Sequence, residues 1–155
     1  VAAIASSQGF AVTLCDPRAR FLTQERLPGG ALDARWPDEA VKAFAPDSRS
    51  AIVTLSHDPK IDDPALIAAL NSPSVYIASL GSQSSHAARV ARLSSAGVSA
   101  DQLVRIEGPA GVAINAISAP EIALSIAGGL IRKFNADVPC CCSAYAGGRA
   151  GCSLW

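Results

Sequence analysis

Residues 74–93 read SVYIASLGSQSSHAARVARL. The stretch opens on a short apolar run, breaks at Leu80-Gly81-Ser82, and becomes a helical pattern carrying Ala87, Ala88, Val90, Ala91 and Leu93. That succession predicts a strand feeding a helix through a tight polar turn. In open α/β sheets ligands sit at the carboxyl ends of strands, often with an anionic group on the N-terminus of the next helix. The turn therefore predicts a site for a phosphate-bearing ligand.

Working outward, the same alternation recurs. Val1 to Ser7 reads as the end of an amphipathic helix with Gly9 as its C-cap, and Phe10 to Cys15 (FAVTLC) as an apolar strand ended by Asp16-Pro17-Arg18. Arg20 to Leu27 is a polar connection, Ala31 to Trp36 holds a short strand-like piece, and Pro37-Asp38-Glu39 opens a helix reaching Phe44. Ser50 to Leu55 is a second β-rich run, ended by Ser56-His57-Asp58-Pro59. Asp62-Asp63-Pro64 is expected to cap a helix through Leu70, stopped by Asn71-Ser72-Pro73. Beyond residue 93, Asp101 to Arg105 reads as a short turn or helix, and Ile106 to Ile114 as a loop. Ser118-Ala119-Pro120-Glu121 is a capping box opening a long apolar helix to Phe134.

Strand and helix alternating at these spacings imply right-handed crossovers and a mostly parallel sheet. The fold class is α/β: a Rossmann-like, doubly wound sheet with helices on both faces, spanning residues 1–134. Because residue 1 falls inside a helix, the first strand and its glycine-rich turn are expected upstream of it. Composition agrees: half of the 155 residues are hydrophobic but only 5% are aromatic, the balance of Ala-rich helices on aliphatic strands. A net charge of zero argues against nucleic-acid or membrane-surface partners, which usually require a basic excess. With no spanning apolar run and no basic, cleavable leader, the cytoplasm is the expected location.

The cysteines are uneven: Cys15 lies in an apolar strand, whereas Cys140, Cys141, Cys142 and Cys152 crowd the end. Three adjacent thiols lack the C-x2-C spacing that wraps zinc, and an odd total makes a poor disulfide framework. Residues 135–155 are read as a Cys-rich disordered tail with no metal site.

Three strand ends and one loop carry candidate chemistry. Asp16 occupies the place where a Rossmann domain holds the ribose hydroxyls of a dinucleotide, although Asp-Pro also simply ends strands. Arg18 and Arg20 could reach phosphate. His57 could carry a proton, with Asp58 or Asp62 orienting it, but Asp-Pro is also ordinary cap chemistry. Gly81, Ser82, Ser85 and His86 offer hydroxyls and free backbone N–H groups to an anion, or else form a Ser-rich cap with His86 exposed. Gly108-Pro109-Ala110-Gly111 is either a loop closing over a ligand or a rigid turn.

Together the segments VTLCDPRARFLTQERLPGG, VTLSHDPKIDDPALIAAL, YIASLGSQSSHAARVARLSSAGV and RIEGPAGVAINAISAPEIALSIAGGLI resemble, in order and spacing, the C-terminal Rossmann domain of the XdhC/CoxI family of xanthine dehydrogenase accessory proteins. The resemblance implies a cofactor chaperone more than a turnover enzyme. Such a protein binds the molybdenum cofactor (molybdopterin, in free or nucleotide form), assists its sulfuration with a cysteine desulfurase, and delivers it to a molybdenum hydroxylase client; a homodimer is compatible with it. By position, Asp16 and Arg18 match the family's D-P-R, Ser56, His57 and Asp58 its T-H-D, Gly81 to His86 its G-S-x-x-x-H, and Gly108-Pro109 its G-P-x-G. Ala113 departs from the family pattern, where a carboxylate is usual. An NAD(P)-dependent oxidoreductase is the alternative, supported by the fold and Asp16 alone.

Overall fold

The computed structural model describes residues 1–136; the cysteine tail lies outside the described residues from residue 137 onward. A first helix, α1 (Ala2–Ser7), leads to β1 (Thr13–Cys15), a 3-10 turn (Ala19–Phe21), β2 (Ala31–Asp33) and α2 (Pro37–Phe44). Then follow β3 (Ala51–Thr54), α3 (Pro59–Leu70), β4 (Tyr76–Ser79), α4 (Gln83–Ser95), α5 (Ala100–Leu103), β5 (Ile106–Glu107) and α6 (Ala119–Phe134).

Every strand pairing is parallel, in two hydrogen-bonded sets: β1 with β2, and β3–β4–β5 in that order. In the larger set β4 is central and all four of its residues are buried. Side-chain alternation along a strand sends neighbours to opposite faces, and β4 builds one core on each. Ile77, with Ile52 and Ile106, packs against Leu66, Ala69 and Leu70 of α3, Leu93 of α4 and Leu103 of α5. Tyr76 and Ala78, with Ala51 and Val53, pack against Ala5 of α1 and Ile126 and Leu130 of α6. Helices therefore cover both faces, which is why the strand sequences are continuous aliphatic runs rather than alternating ones.

Local chemistry fixes the helix ends. Ser118 and Glu121 form the reciprocal capping box expected at the start of α6. Arg105 donates from Nη1 to the Leu70 carbonyl at 2.7 Å and from Nη2 to the Ser72 carbonyl at 2.9 Å, satisfying acceptors that the end of α3 leaves open.

Three expectations need correction. α3 begins at Pro59 with Asp58 as N-cap, accepting from Lys60 N, not at Asp62–Pro64. Asp58-Pro59 is itself a cap-plus-proline pair; Asp62 falls in the first turn, where the helix dipole favours a carboxylate, and Pro64 is tolerated inside the helix. The strand expected over Phe10–Cys15 pairs in register only from Thr13, with Val12 contributing its carbonyl to Ala31 N at 3.3 Å while Phe10 and Val12 pack on the core shared with α6. Finally, Ile106 and Glu107 form a strand where a loop was expected; two residues carry no readable periodicity.

Candidate functional site

The carboxyl ends of β3, β4 and β5 meet at one rim. Thr54 Oγ1 and Ser79 Oγ, the last residues of β3 and β4, share a buried hydrogen bond of 2.6 Å. Leu80 N donates to the Thr54 carbonyl at 2.9 Å, and Ala110 N to the Ser79 carbonyl at 3.1 Å. These bonds hold three post-strand loops side by side, and between them opens a cavity of about 390 Å3. His57, Leu80, Gly81 and Pro109 line its strand side; Ala116, Ile122 and Ser125, at the start of α6, line the other.

The residues after β3 divide their work. Ser56 Oγ donates to Asp62 Oδ1 at 2.7 Å and accepts from Asp58 N at 3.2 Å, so Ser56, Asp58 and the buried Asp62 fasten the start of α3. His57 stands between them with a left-handed backbone (φ 61°), exposed and facing the cavity. Asp58 and Asp62 thus build the turn that presents the imidazole.

The turn after β4 is rich in polar groups and touches the cavity at Gly81. Gly81 has φ 144° and sits so close to α4 that an added Cβ would lie 3.1 Å from Ser85 Cβ; only glycine fits comfortably there. Ser82 caps α4, accepting from Ser85 N at 3.2 Å, and its hydroxyl also contacts those of Ser84 (2.8 Å) and Ser85 (3.0 Å). The exposed hydroxyls of Ser82, Ser84 and Ser85 and the N–H groups at the start of α4 follow directly on Gly81, which lines the cavity, and are the elements of an anion cradle.

Beneath them lies a residue that the sequence reading missed. Arg89 is 4% exposed and donates from Nη2 to the Leu80 carbonyl at 3.0 Å. Its Nε and Nη1 are buried without a partner, as is His86 Nδ1. Burial pulls the Arg89 guanidinium below its ordinary pKa, opposed by the charges of Asp62 and Asp63. The sequence did hold a signal: Arg89 lies one turn before Leu93 and beside Val90, a cation on the apolar stripe of α4.

His86 is half-buried, not exposed. Its ring packs on Gly108, where an added Cβ would collide with Nδ1. Burial lowers its pKa, and neighbouring Arg89 lowers it further. The loop beyond Gly108 is a rigid wall: Glu107 Oε1 accepts from Tyr76 Oη at 2.9 Å and from Gly111 N at 3.2 Å, while Oε2 accepts from Arg132 at 2.8 Å. Ser125 Oγ donates to the Val112 carbonyl at 2.6 Å, completing the attachment to α6.

Asp16 and Arg18 stand apart from the cavity lining. Asp16 accepts three bonds of 2.9 Å from Arg18: the backbone N and Nε on Oδ1, and Nη2 on Oδ2. That pair holds the Asp16 carboxyl below the usual carboxylate range. Arg18 also feels the charge of Asp58, so this pair borders the β3 turn. Cys15 beside it is half-buried, its thiol pushed up to about 11 by burial first and then by Asp33 and Asp16. Among the described residues no group of three or more His, Cys, Asp or Glu is placed to hold a metal ion. None of their helices is long and apolar enough to cross a membrane.

This geometry can be set beside known proteins. The XdhC Rossmann domain family matches residues 1–130. The chain belongs to that family. A crystal structure of a xanthine dehydrogenase from Bacillus halodurans superposes with a TM-score of 0.72 at 24% identity, covering 87% of this chain and 38% of that one. At that identity the likeness shows the fold, and the XdhC domain spans well under half of its structural neighbour. No curated protein gives a significant sequence match.

Proposed function

We propose that this XdhC domain is an accessory module that binds the molybdenum cofactor and supports its delivery to a xanthine dehydrogenase-type molybdenum hydroxylase. The observation that carries this is the rim cavity: about 390 Å3 and largely apolar, with His57 and Ser125 as the polar side chains of its lining and the Gly81 turn at its edge. Small-molecule sites combine those properties at this scale. A phosphorylated pterin fits this donor set. Ser82, Ser84, Ser85 and the first N–H groups of α4 would take the phosphate, while Leu80, Pro109 and Ile122 would face the ring. His57 would offer a polar contact at the mouth, and His86 with Gly108 would shape the far side.

The cargo supplies the molybdenum chemistry to the client; the domain's residues bind and orient it. Sulfuration would draw on a cysteine desulfurase partner, in the cytoplasm, with each protomer of any homodimer offering one rim. Cys15 is a poor relay for that sulfur, because a thiol whose pKa is pushed up to about 11 is almost wholly protonated at neutral pH. The alternative of an NAD(P)-dependent oxidoreductase drew on Asp16 as a ribose acceptor, and Arg18 already occupies both of its oxygens.

The test is retention of pterin. Protein purified under anaerobic conditions is oxidised and assayed for the fluorescent pterin product. The expected result is near-stoichiometric pterin in the wild type and a loss of tenfold or more in Gly81→Val, whose side chain crowds Ser85. Absence of pterin from wild-type protein that had access to the cofactor would overturn the proposal.

A further inference from the structure

Among the described residues, Arg89 is the only arginine or lysine that is buried. A buried cation is costly unless it is paired and fully hydrogen-bonded, and Arg89 is neither. It makes one hydrogen bond, from Nη2 to the Leu80 carbonyl at 3.0 Å, while Nε and Nη1 have no protein partner. Among the described residues it forms no ion pair. The carboxylates whose charge reaches it are engaged elsewhere. Asp63 is held by Arg92 at 2.9 and 3.1 Å, and Asp62 Oδ1 accepts from Ser56 at 2.7 Å.

Position connects this charge to the cavity. Gly81 lines the cavity, and Arg89 stands directly behind it. A Cβ added at Gly81 would lie 3.7 Å from Arg89 Nη2, 3.7 Å from Ser85 Oγ and 3.1 Å from Ser85 Cβ. The missing side chain thus leaves a corner bounded by a hydroxyl and a guanidinium, next to the Ser82 cap of α4. In that low-dielectric position the guanidinium charge is little screened by salt, and it adds to the pull of the helix N–H groups on an anion. The cavity lining itself holds no charged carboxylate or ammonium group, its polar side chains being His57 and Ser125. The Gly81 corner is therefore where an anionic group on a bound ligand is best received.

We propose that Arg89 is the specificity-determining cation of the rim site: across the corner that Gly81 leaves open, its guanidinium and the Ser85 hydroxyl receive a phosphomonoester and so select a phosphorylated pterin over the unphosphorylated one. This role rests on the reading of the rim as a pterin site, and names the side chain that makes the site select for charge.

Neopterin and neopterin monophosphate differ only in the phosphomonoester, and both fluoresce, so each can be titrated directly, with inorganic phosphate as a third probe. The wild type should bind the monophosphate at least about tenfold more tightly, as expected of hydrogen bonds to a charged group. In Arg89→Gln that preference should shrink to within about threefold, and Arg89→Lys, which keeps the charge but not the fork, should retain part of it. An arginine that merely supports the fold would weaken both ligands alike and leave their ratio unchanged. Gly81→Ala keeps every charge and fills the corner, so it should lower the ratio several-fold; it carries the test should Arg89→Gln fail to fold. Equal binding of both pterins by the wild type, or a ratio unchanged in either Arg89→Gln or Gly81→Ala, would overturn the role of Arg89 while leaving the pterin reading in place. If neither pterin binds, but inorganic phosphate raises the melting temperature of the wild type and not of Arg89→Gln, the anion corner stands and the pterin reading falls.

Discussion

The β3–β4–β5 half and the β1–β2 half of the domain end their strands in opposite ways. The first buries a complete central strand between two helical layers and finishes in loops stitched to one another by short hydrogen bonds. The second pairs only three residues per strand, none of them fully buried, and finishes in exposed arginine–aspartate pairs. A rim of this kind joins a rigid, apolar, shape-selecting wall to a charged, water-facing one. Shape recognition belongs where packing is dense, and charge recognition where side chains can reorient.

Two glycines test that contrast most severely. Gly111 (φ 102°) lies against α6, so an added Cβ would fall 2.5 Å from Ser125 Oγ and 2.6 Å from its carbonyl carbon. Gly29 (φ 71°) has nothing within 4 Å of the same position. Both alanine variants carry the strain of a left-handed backbone, about 1–2 kcal/mol; only Gly111→Ala adds overpacking, about 1–3 kcal/mol more. Urea denaturation should therefore show a loss of about 3 kcal/mol or more for Gly111→Ala and about 1 kcal/mol for Gly29→Ala. Equal losses would mean that the loop after β5 is no more tightly held than the loop before β2.

The arginines sharpen the comparison. Arg89→Leu removes the donor to the buried Leu80 carbonyl and the cation near Asp62, leaving polar groups without compensation at a loss of about 1–3 kcal/mol. Arg18→Gln dissolves an ion pair whose arginine side chain is 43% exposed, and exposed pairs contribute about 0–1 kcal/mol. Thermal melts of the two variants should separate by several degrees, Arg89→Leu the lower.

What the sequence made legible follows the same division. Elements declared by local chemistry were readable: α2 from Pro37 to Phe44, α6 from its Ser118–Glu121 box, and the Ser82 cap of α4 all stand where their residue types place them. So was the order of strand-end loops that meet at the cavity, because parallel topology forces carboxyl ends to one side. Contacts between distant segments were not readable. Nothing local to His86 announces that its ring rests on Gly108, and nothing local to Glu107 announces Tyr76 and Arg132. The start of α3 was misplaced because two Asp-Pro signals lie five residues apart and local chemistry alone does not rank them. The Asp16–Arg18 pairing needed only a two-residue reach, yet its consequence, a filled acceptor at the ribose corner, required coordinates.

The two halves should also respond to acid in different windows. His86 has its pKa lowered from the ordinary 6.5, so the unfolded chain binds a proton before the folded one does. Its contribution is fully present above about pH 6.5 and is lost as pH falls from there towards the depressed folded value. Asp16, lowered from 3.8 by Arg18, contributes above its ordinary value and loses that contribution only as pH falls further. Denaturation midpoints followed from pH 7.5 to 5 should therefore decline in the wild type and stay flat in His86→Gln. An Asp16→Asn protein should still decline over that range. A wild-type midpoint that does not move above pH 5 would place the His86 ring in water rather than against Gly108.

The smallest expected effect concerns Cys15, the last residue of β1. Its thiol is pushed up to about 11 by burial first, then by Asp33 and Asp16, with Arg35 pulling the other way. A thiol of that kind holds a thiolate fraction of only about 10⁻⁴ at pH 7, and the thiolate is the nucleophile. Peptide-level mass spectrometry after brief iodoacetamide exposure should find Cys15 labelled far more slowly than a free cysteine peptide, with the rate climbing steadily through pH 9. Asp33→Asn removes one of the two opposing carboxylates and frees Arg35 from its 2.6 Å pair, so the labelling rate at pH 8 should rise a few-fold. If that substitution leaves the rate unchanged, burial alone suppresses the thiol, and the charged half would be better packed at this strand end than its exposed ion pairs imply.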